Sequence, residues 1–316
     1  MRLIYAVLTS KRFAVLMLVS LLYQINLKAQ PFSRQVHRIV FLGNSITYDG
    51  RYVTDVAAYL RVKYPRQNYE IINVGLPSET VSGLSEPNHA DGKFPRPDLH
   101  ERLSRVLQQT KPDLVIACYG MNDGIYLPWD ESRFAAFRTG VQWLHDQVVK
   151  AGTPIIHVTP PVYDESRGQA QGYAAVLDRY AEWLLAQREA QQWRVLDLHF
   201  PMKTYLETQR QQNATFYLAE DGIHPQEQGH WLMAQQLLVG LGEDQVATAT
   251  DARASVAFHP KGAQLLELEA EKQSLMKDAW LTATGHQRPG MKKGLPLAEA
   301  QQKAAALTKQ QKALLR

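Results

Sequence analysis

Cysteine is nearly absent from this chain: Cys118 is the only one in 316 residues. No intrachain disulfide can form, so the fold rests on packing and hydrogen bonds even in an oxidising compartment. Cys118 closes the apolar run Leu114-Val115-Ile116-Ala117-Cys118, a position that suits buried strand filler rather than a reactive thiol. A membrane-length apolar run is also missing. The apolar run from Phe13 to Leu22 is too short to span a bilayer, which needs about 20 residues. It follows Arg2, Lys11 and Arg12 and precedes Leu27-Lys28-Ala29, so residues 1–29 read as an export signal cleaved near Ala29. That reading predicts a periplasmic or secreted protein with no stable membrane anchor. The third absence is excess charge. The chain has 35 basic and 31 acidic residues, and the first 29 positions hold four of the basic ones and no acidic one. Without them the balance is even, so the sequence pI of about 9.0 gives no reason to expect a nucleic-acid partner.

What remains is 45% hydrophobic and 21% charged, the composition of a globular chain. Short β-branched runs alternate with longer helical stretches between about residues 36 and 241. Strands are expected near 37–42, 70–74, 113–119, 154–159 and 194–198. Helices are expected near 52–63, 99–109, 131–150, 171–191 and 225–241. Such alternation implies a parallel sheet covered by helices on both faces, with the active site beyond the carboxyl ends of the strands. Residues 243–316 read as a linker followed by two helices, near 263–281 and from 296 onward, joined by a loop over 282–290. This tail is poor in large apolar residues and is expected to pack on the main domain, residues 30–242, rather than fold alone.

Chemistry-bearing residues collect at the strand ends. The first strand ends in Gly43-Asn44-Ser45-Ile46-Thr47, the second in Asn73-Val74-Gly75 and the third in Gly120-Met121-Asn122-Asp123. Asp221-Gly222-Ile223-His224-Pro225 opens the last helix of the domain. Each alone is an ordinary turn or cap; their joint occurrence at the mouth of one sheet points to a site. A serine hydroxyl becomes a nucleophile when a base takes its proton, and His224 can serve. Asp221, three residues earlier, can reach the second ring nitrogen and fix its tautomer. The backbone N–H groups of Ser45 and Gly75 and the Asn122 amide can receive a developing oxyanion.

These four blocks resemble the signature blocks of the SGNH/GDSL hydrolase superfamily. The resemblance covers about residues 36–241. It implies Ser45 as nucleophile, Gly75 and Asn122 as oxyanion donors, and Asp221 with His224 as the acid–base pair. It also implies a three-layer α/β/α, flavodoxin-like fold with a five-stranded parallel sheet, and no metal or other cofactor. Asn44 departs from the commonest motif, which has Asp there; the change bears on loop hydrogen bonding.

Tyr48, Glu79, His89, Tyr126, Trp129 and Tyr163 lie on strand-end loops where they can stack on a sugar or bond to it. The equal alternative is that some are plain loop aromatics and surface polars. An acylated carbohydrate, most simply an acetyl ester, is the expected substrate. A lipase-like or lysophospholipase-like esterase is the competing enzyme, and a non-catalytic carbohydrate-binding protein the competing class. His89-Ala-Asp91 with His224 shows no metal-ligand spacing. In the tail, Trp280, His286 and Arg288 form an aromatic–basic cluster. Either its loop folds back toward the strand ends to meet an acidic or sugar substrate, or Trp280 anchors a helix while the other two face solvent.

Overall fold

A computed structural model describes residues 31–316; the segment read as an export signal lies outside them. Five strands form one sheet: β1 (Arg38–Gly43), β2 (Glu70–Asn73), β3 (Leu114–Cys118), β4 (Ile155–Val158) and β5 (Arg194–Leu196). All pairings are parallel, in the order β2-β1-β3-β4-β5. The chain moves outward from β1 to β2, then returns across β1 to β3. The loops leaving β1 and β3 therefore diverge, and such a reversal opens a crevice at the carboxyl ends of the strands. The β1–β3 register pairs Gly43 with Cys118, so Ser45 emerges beside the Gly120-Met121-Asn122-Asp123 loop. Every residue of β3 is buried, as expected for a strand covered on both faces. Burial also pushes the Cys118 thiol up to about 12, which keeps it protonated and inert. The architecture is the three-layer α/β/α arrangement.

The helices of the domain are α1 (Ser45–Asp49), α2 (Arg51–Lys63), α3 (Leu103–Thr110), α4 (Glu131–Lys150), α5 (Tyr173–Ala190), α6 (His199–Gln212) and α7 (Glu227–Gly240). Helix α6 has no counterpart among the sequence-based expectations. Pro201 interrupts its pattern on paper, yet it sits in the first turn, where no intrahelical N–H is needed. Met202 and Leu206, one turn apart, bury its inner face. The segment expected as an irregular linker contains a 3-10 turn, Asp244–Thr248, and the four-residue helix α8 (Ala252–Ser255), capped by Asp251.

Two longer helices follow, α9 (Gly262–Thr284) and α10 (Leu297–Leu314). Leu265, Glu269, Gln273, Met276 and Trp280 recur at three- and four-residue spacing and form the buried face of α9. That face packs along α2 and the edge strand β2. Two of its members are polar, and both are satisfied: Glu269 accepts from Lys272 Nζ at 2.6 Å and from Gln311 of α10 at 2.8 Å. Gln273 donates to the Ile71 carbonyl of β2 at 3.3 Å. The extension thus packs on the main domain. Among the described residues, no helix is long and apolar enough to cross a membrane.

Candidate active site

Strand β1 delivers Ser45 as the first residue of α1. The Asn44 side chain caps this helix by accepting from the Ile46 N–H at 3.1 Å, a role its amide oxygen fills as an Asp carboxylate would. The Ser45 N–H, one of the free donors of a helix start, makes no hydrogen bond among the described residues. From below, Asn73 Nδ2 donates to the Thr47 carbonyl at 2.6 Å and fixes the turn.

The Ser45 hydroxyl lies 2.8 Å from His224 Nε2, and His224 Nδ1 lies 2.6 Å from Asp221 Oδ2. Asp221 Oδ1 accepts from the N–H groups of Ile223 and His224 at 2.9 and 2.8 Å, so the carboxylate both caps the turn and orients the ring. Burial pushes Asp221 up, but the hydrogen bonds from His224 and Ile223 outweigh it and hold the carboxyl below its ordinary range. The pair is half-open to solvent, with His224 and Asp221 side chains 50% and 53% exposed. This relay can take a proton from Ser45 and return it to a leaving group.

Opposite stands Asn122, buried on the loop after β3. Its Nδ2 donates to the Glu79 carbonyl at 3.0 Å, which engages one of its two protons, and its Oδ1 accepts from the Tyr126 hydroxyl at 2.9 Å. Both bonds fix which way the amide points. Ile125 and Tyr126 hold left-handed φ of 48° and 57°, an uncommon conformation for a β-branched residue, and this turn swings the Tyr126 hydroxyl back to Asn122. Asp123 is fully buried and ties the loop to its neighbour: its carboxylate accepts from the N–H groups of Val81, Ser82 and Gly120.

Glu79 does not face a substrate, contrary to expectation. It is wholly buried, with Arg102 Nε and Nη2 donating to its carboxylate at 2.6 and 2.7 Å and the Tyr119 hydroxyl at 2.6 Å. Its contribution to the site is the backbone carbonyl that orients Asn122.

Gly75 also requires correction as an oxyanion donor. Its N–H donates to Asn73 Oδ1 at 2.9 Å and is already spent. What the position needs is space, because a Cβ on Gly75 would meet Tyr48 N at 2.4 Å and Thr47 C at 2.7 Å, both backbone atoms of the Ser45 helix. Gly75→Ala must displace that helix, and a misplacement of this size is expected to lower kcat by about 100-fold. Steady-state turnover of p-nitrophenyl acetate, with circular dichroism to verify folding, checks this. Three residues on, Ser78 adopts a left-handed φ of 69°, and its N–H makes no hydrogen bond among the described residues. Sequence offered no signal for Ser78, since nothing in its side chain announces a free amide.

The other loop candidates divide. Tyr48 stands on α1 one turn beyond Ser45. Burial and its hydrogen bond to Asp278 Oδ1, 2.9 Å long, push its hydroxyl up to about 12. His89 packs edge-on against Phe94, and its Nδ1 donates to Glu86 at 3.3 Å. Tyr126 bonds to Asn122 and lies under the Arg96 guanidinium, 5.2 Å from the ring centroid. Tyr163, in contrast, is buried and its hydroxyl is used by the Ala170 N–H at 2.7 Å. Trp129 joins Phe134 and Arg179 in a separate aromatic cluster. Among the described residues, no group of three or more His, Cys, Asp or Glu side chains is arranged to hold a metal ion. In the tail, Trp280 is buried in the core. Arg288 instead lies over Phe94, 5.2 Å from its centroid, so the loop does fold back toward the strand ends.

A parallel α/β sheet with a Ser–His–Asp relay at its carboxyl edge defines a serine hydrolase class. Residues 41–232 match the model of the GDSL-like lipase/acylhydrolase family, and the chain belongs to that family. The fold is similar to that of LAE5, an alpha/beta hydrolase enzyme from the metagenome of Lake Arreo, Spain. That match has 22% identity and a TM-score of 0.53 over 68% of this chain and 99% of the other. Axe2, an acetylxylan esterase from Geobacillus stearothermophilus, aligns at 23% identity and TM-score 0.51 over 65% of this chain and 94% of its own. A gut microbial diltiazem-metabolizing enzyme matches at 22% identity and TM-score 0.48 over 68% of this chain, which spans 48% of its length. No functionally curated protein matches the chain at a significant level.

Proposed function

We propose that this esterase is an exported carbohydrate O-acetylesterase that works through Ser45, His224 and Asp221. The observation that carries the mechanism is the unbroken relay from Asp221 through His224 to Ser45, at 2.6 and 2.8 Å. In the first half-reaction Ser45 Oγ attacks the ester carbonyl carbon while its proton passes to His224 Nε2. The carbonyl oxygen becomes an oxyanion, received by the N–H of Ser45 and the free Nδ2 proton of Asn122. The intermediate collapses, the bond to the sugar oxygen breaks, and His224 returns the proton to that oxygen. Water then attacks the acyl-serine by the same route, His224 taking its proton, and acetate leaves.

Asn122→Ala is expected to lower kcat by about 10²- to 10³-fold, the usual cost of one oxyanion donor. Single-turnover acylation measures it.

The choice of a small acyl group on a polar carrier is supported by the openness of the relay and by the polar, aromatic wall of Tyr48, His89, Arg96 and Tyr126 beside it. The acetylxylan esterase activity named for one structure of similar fold points the same way. The reading of residues 1–29 as an export signal supplies the compartment in which such polymers occur. Acetylated xylo-oligosaccharides and acetylated pectin fragments, tested beside long-chain acyl esters, decide the substrate. Turnover of the saccharides with little on the long chains is expected; preference for the long chains favours the lipase-like alternative.

A further inference from the structure

A continuous series of contacts leads from the nucleophile to the oxyanion residue, and the C-terminal extension supplies part of it. Tyr48, on the Ser45 helix, donates to Asp278 of α9. The charge of Arg288 acts on the same Tyr48 hydroxyl, and its guanidinium lies over Phe94. Phe94 packs on His89, with 5.3 Å between ring centroids, and His89 shares Glu86 with Arg96. Arg96 covers Tyr126, which bonds to Asn122. The start of the extension loop is held in place as Arg105 donates to the carbonyls of Thr284 and Gly285 at 3.1 and 3.4 Å.

Two cations along this wall form no ion pair among the described residues, Lys277 and Arg288; Lys277 lies over the Tyr48 ring, 4.3 Å from its centroid, and donates to the Asp49 carbonyl at 3.4 Å. Arg96 makes two 2.7 Å bonds to Glu86. Lys292 lies 3.4 Å from Asp278. Arg288 is half-buried, yet it faces no carboxylate among the described residues. Its Nη1 reaches only its own neighbours, the Pro289 carbonyl and the Met291 sulfur. Its Nε is buried without a partner. His286 Nδ1 and His89 Nε2, on the same wall, are buried and unpartnered too. A half-buried guanidinium with a buried, idle donor is costly to keep in that state. A planar anion is the partner that satisfies it, because a carboxylate matches the arginine fork.

We infer that Arg288 receives a substrate carboxylate, so that the preferred ester is an acetylated saccharide containing uronic acid residues. The inference rests on the carbohydrate acetylesterase reading and adds the charge of the carrier. The extension then has a role in specificity beyond packing: α9 places Asp278 against Tyr48, and the loop after it brings a cation to the catalytic face.

The test compares kcat/KM on acetylated oligogalacturonides and acetylated xylo-oligosaccharides for the wild type, Arg288→Gln and Arg288→Lys. The wild type is expected to favour the acidic substrate, and high NaCl to reduce that preference. Arg288→Gln is expected to lower the acidic-to-neutral ratio about tenfold, chiefly through KM for the acidic substrate. Arg288→Lys retains the charge without the fork and should restore part of the ratio. Circular dichroism verifies that each variant is folded. Equal losses on both substrates, or no acidic preference in the wild type, overturn the carboxylate subsite and leave the acetylesterase reading standing. Failure on every acetylated saccharide, with p-nitrophenyl acetate still hydrolysed, overturns that reading and the subsite with it.

Discussion

Ser45→Ala is expected to lower kcat for p-nitrophenyl acetate by about 10⁴- to 10⁶-fold, with the fold intact. The size follows from what the hydroxyl does. In the proposed mechanism it is the atom that bonds to the acyl carbon, and it meets His224 Nε2 at 2.8 Å, so no neighbour can substitute for it. In the proposed mechanism the residual rate is carried by the donors left behind, Asn122 and the Ser45 amide, which polarise a bound ester toward attack by water. The fold is expected to survive because Ser45 is partly exposed and the helix cap belongs to Asn44. Combining Ser45→Ala with Asp221→Asn should add little, since the two act as one unit. Losses that multiply in the double variant would show that Asp221 acts independently of the serine.

Arg102→Ala is expected to destabilise the protein by about 3–5 kcal/mol, the cost of stranding one charge of a buried pair. Arg102 and Glu79 side chains are both wholly inaccessible to solvent, so neither is screened by water. Removing the guanidinium also leaves the Val74 carbonyl without its 2.8 Å donor. Thermal unfolding should show Tm lower by roughly 10 °C for a chain of this size. The pH dependence has a definite sign. Burial pushes the Glu79 carboxyl up, and Arg102 opposes that shift in the native protein. Without Arg102 the folded state holds a proton on Glu79 more tightly than the unfolded chain does. The deficit against wild type is therefore smallest in acid and grows as pH rises through the raised pKa. Activity should fall along with stability, because the Glu79 carbonyl orients Asn122. An Arg102→Met, Glu79→Leu double variant removes both charges and should recover much of the stability. A deficit that does not change with pH would show that lost packing, rather than a stranded carboxylate, is responsible.

Much of the fold is legible in the sequence because its signals are local. Helix α4 runs over Glu131–Lys150 as expected, between the Asp130 cap and the Ala151-Gly152 turn. The all-apolar β3 run reads directly as a strand covered on both faces. Helix α6 escaped because a proline in the first turn looks the same on paper as a helix breaker. The relay of Ser45, His224 and Asp221 was legible because its chemistry resides in side-chain identity and motif spacing.

The remainder of the site depends on backbone and burial, which side-chain identity does not encode. Gly75 reads as a donor, but only coordinates show that Asn73 occupies its N–H and that its missing side chain makes room for Tyr48. Ser78 reads as nothing, although its left-handed backbone leaves an amide free. Glu79 and Tyr163 are polar residues on loops, which on paper suits substrate contact; the fold turns both inward to satisfy Arg102 and the Ala170 amide. Arg288 gains its meaning from a contact almost 200 residues away in sequence, over Phe94, that no local pattern specifies.

The most direct measurement of the central claim is covalent: reaction with a fluorophosphonate probe, followed by intact mass and peptide mapping. A single adduct on Ser45, absent from Ser45→Ala and formed much more slowly in a His224→Ala variant, is the predicted result. An adduct on another residue, or undiminished labelling and ester turnover in Ser45→Ala, would contradict it.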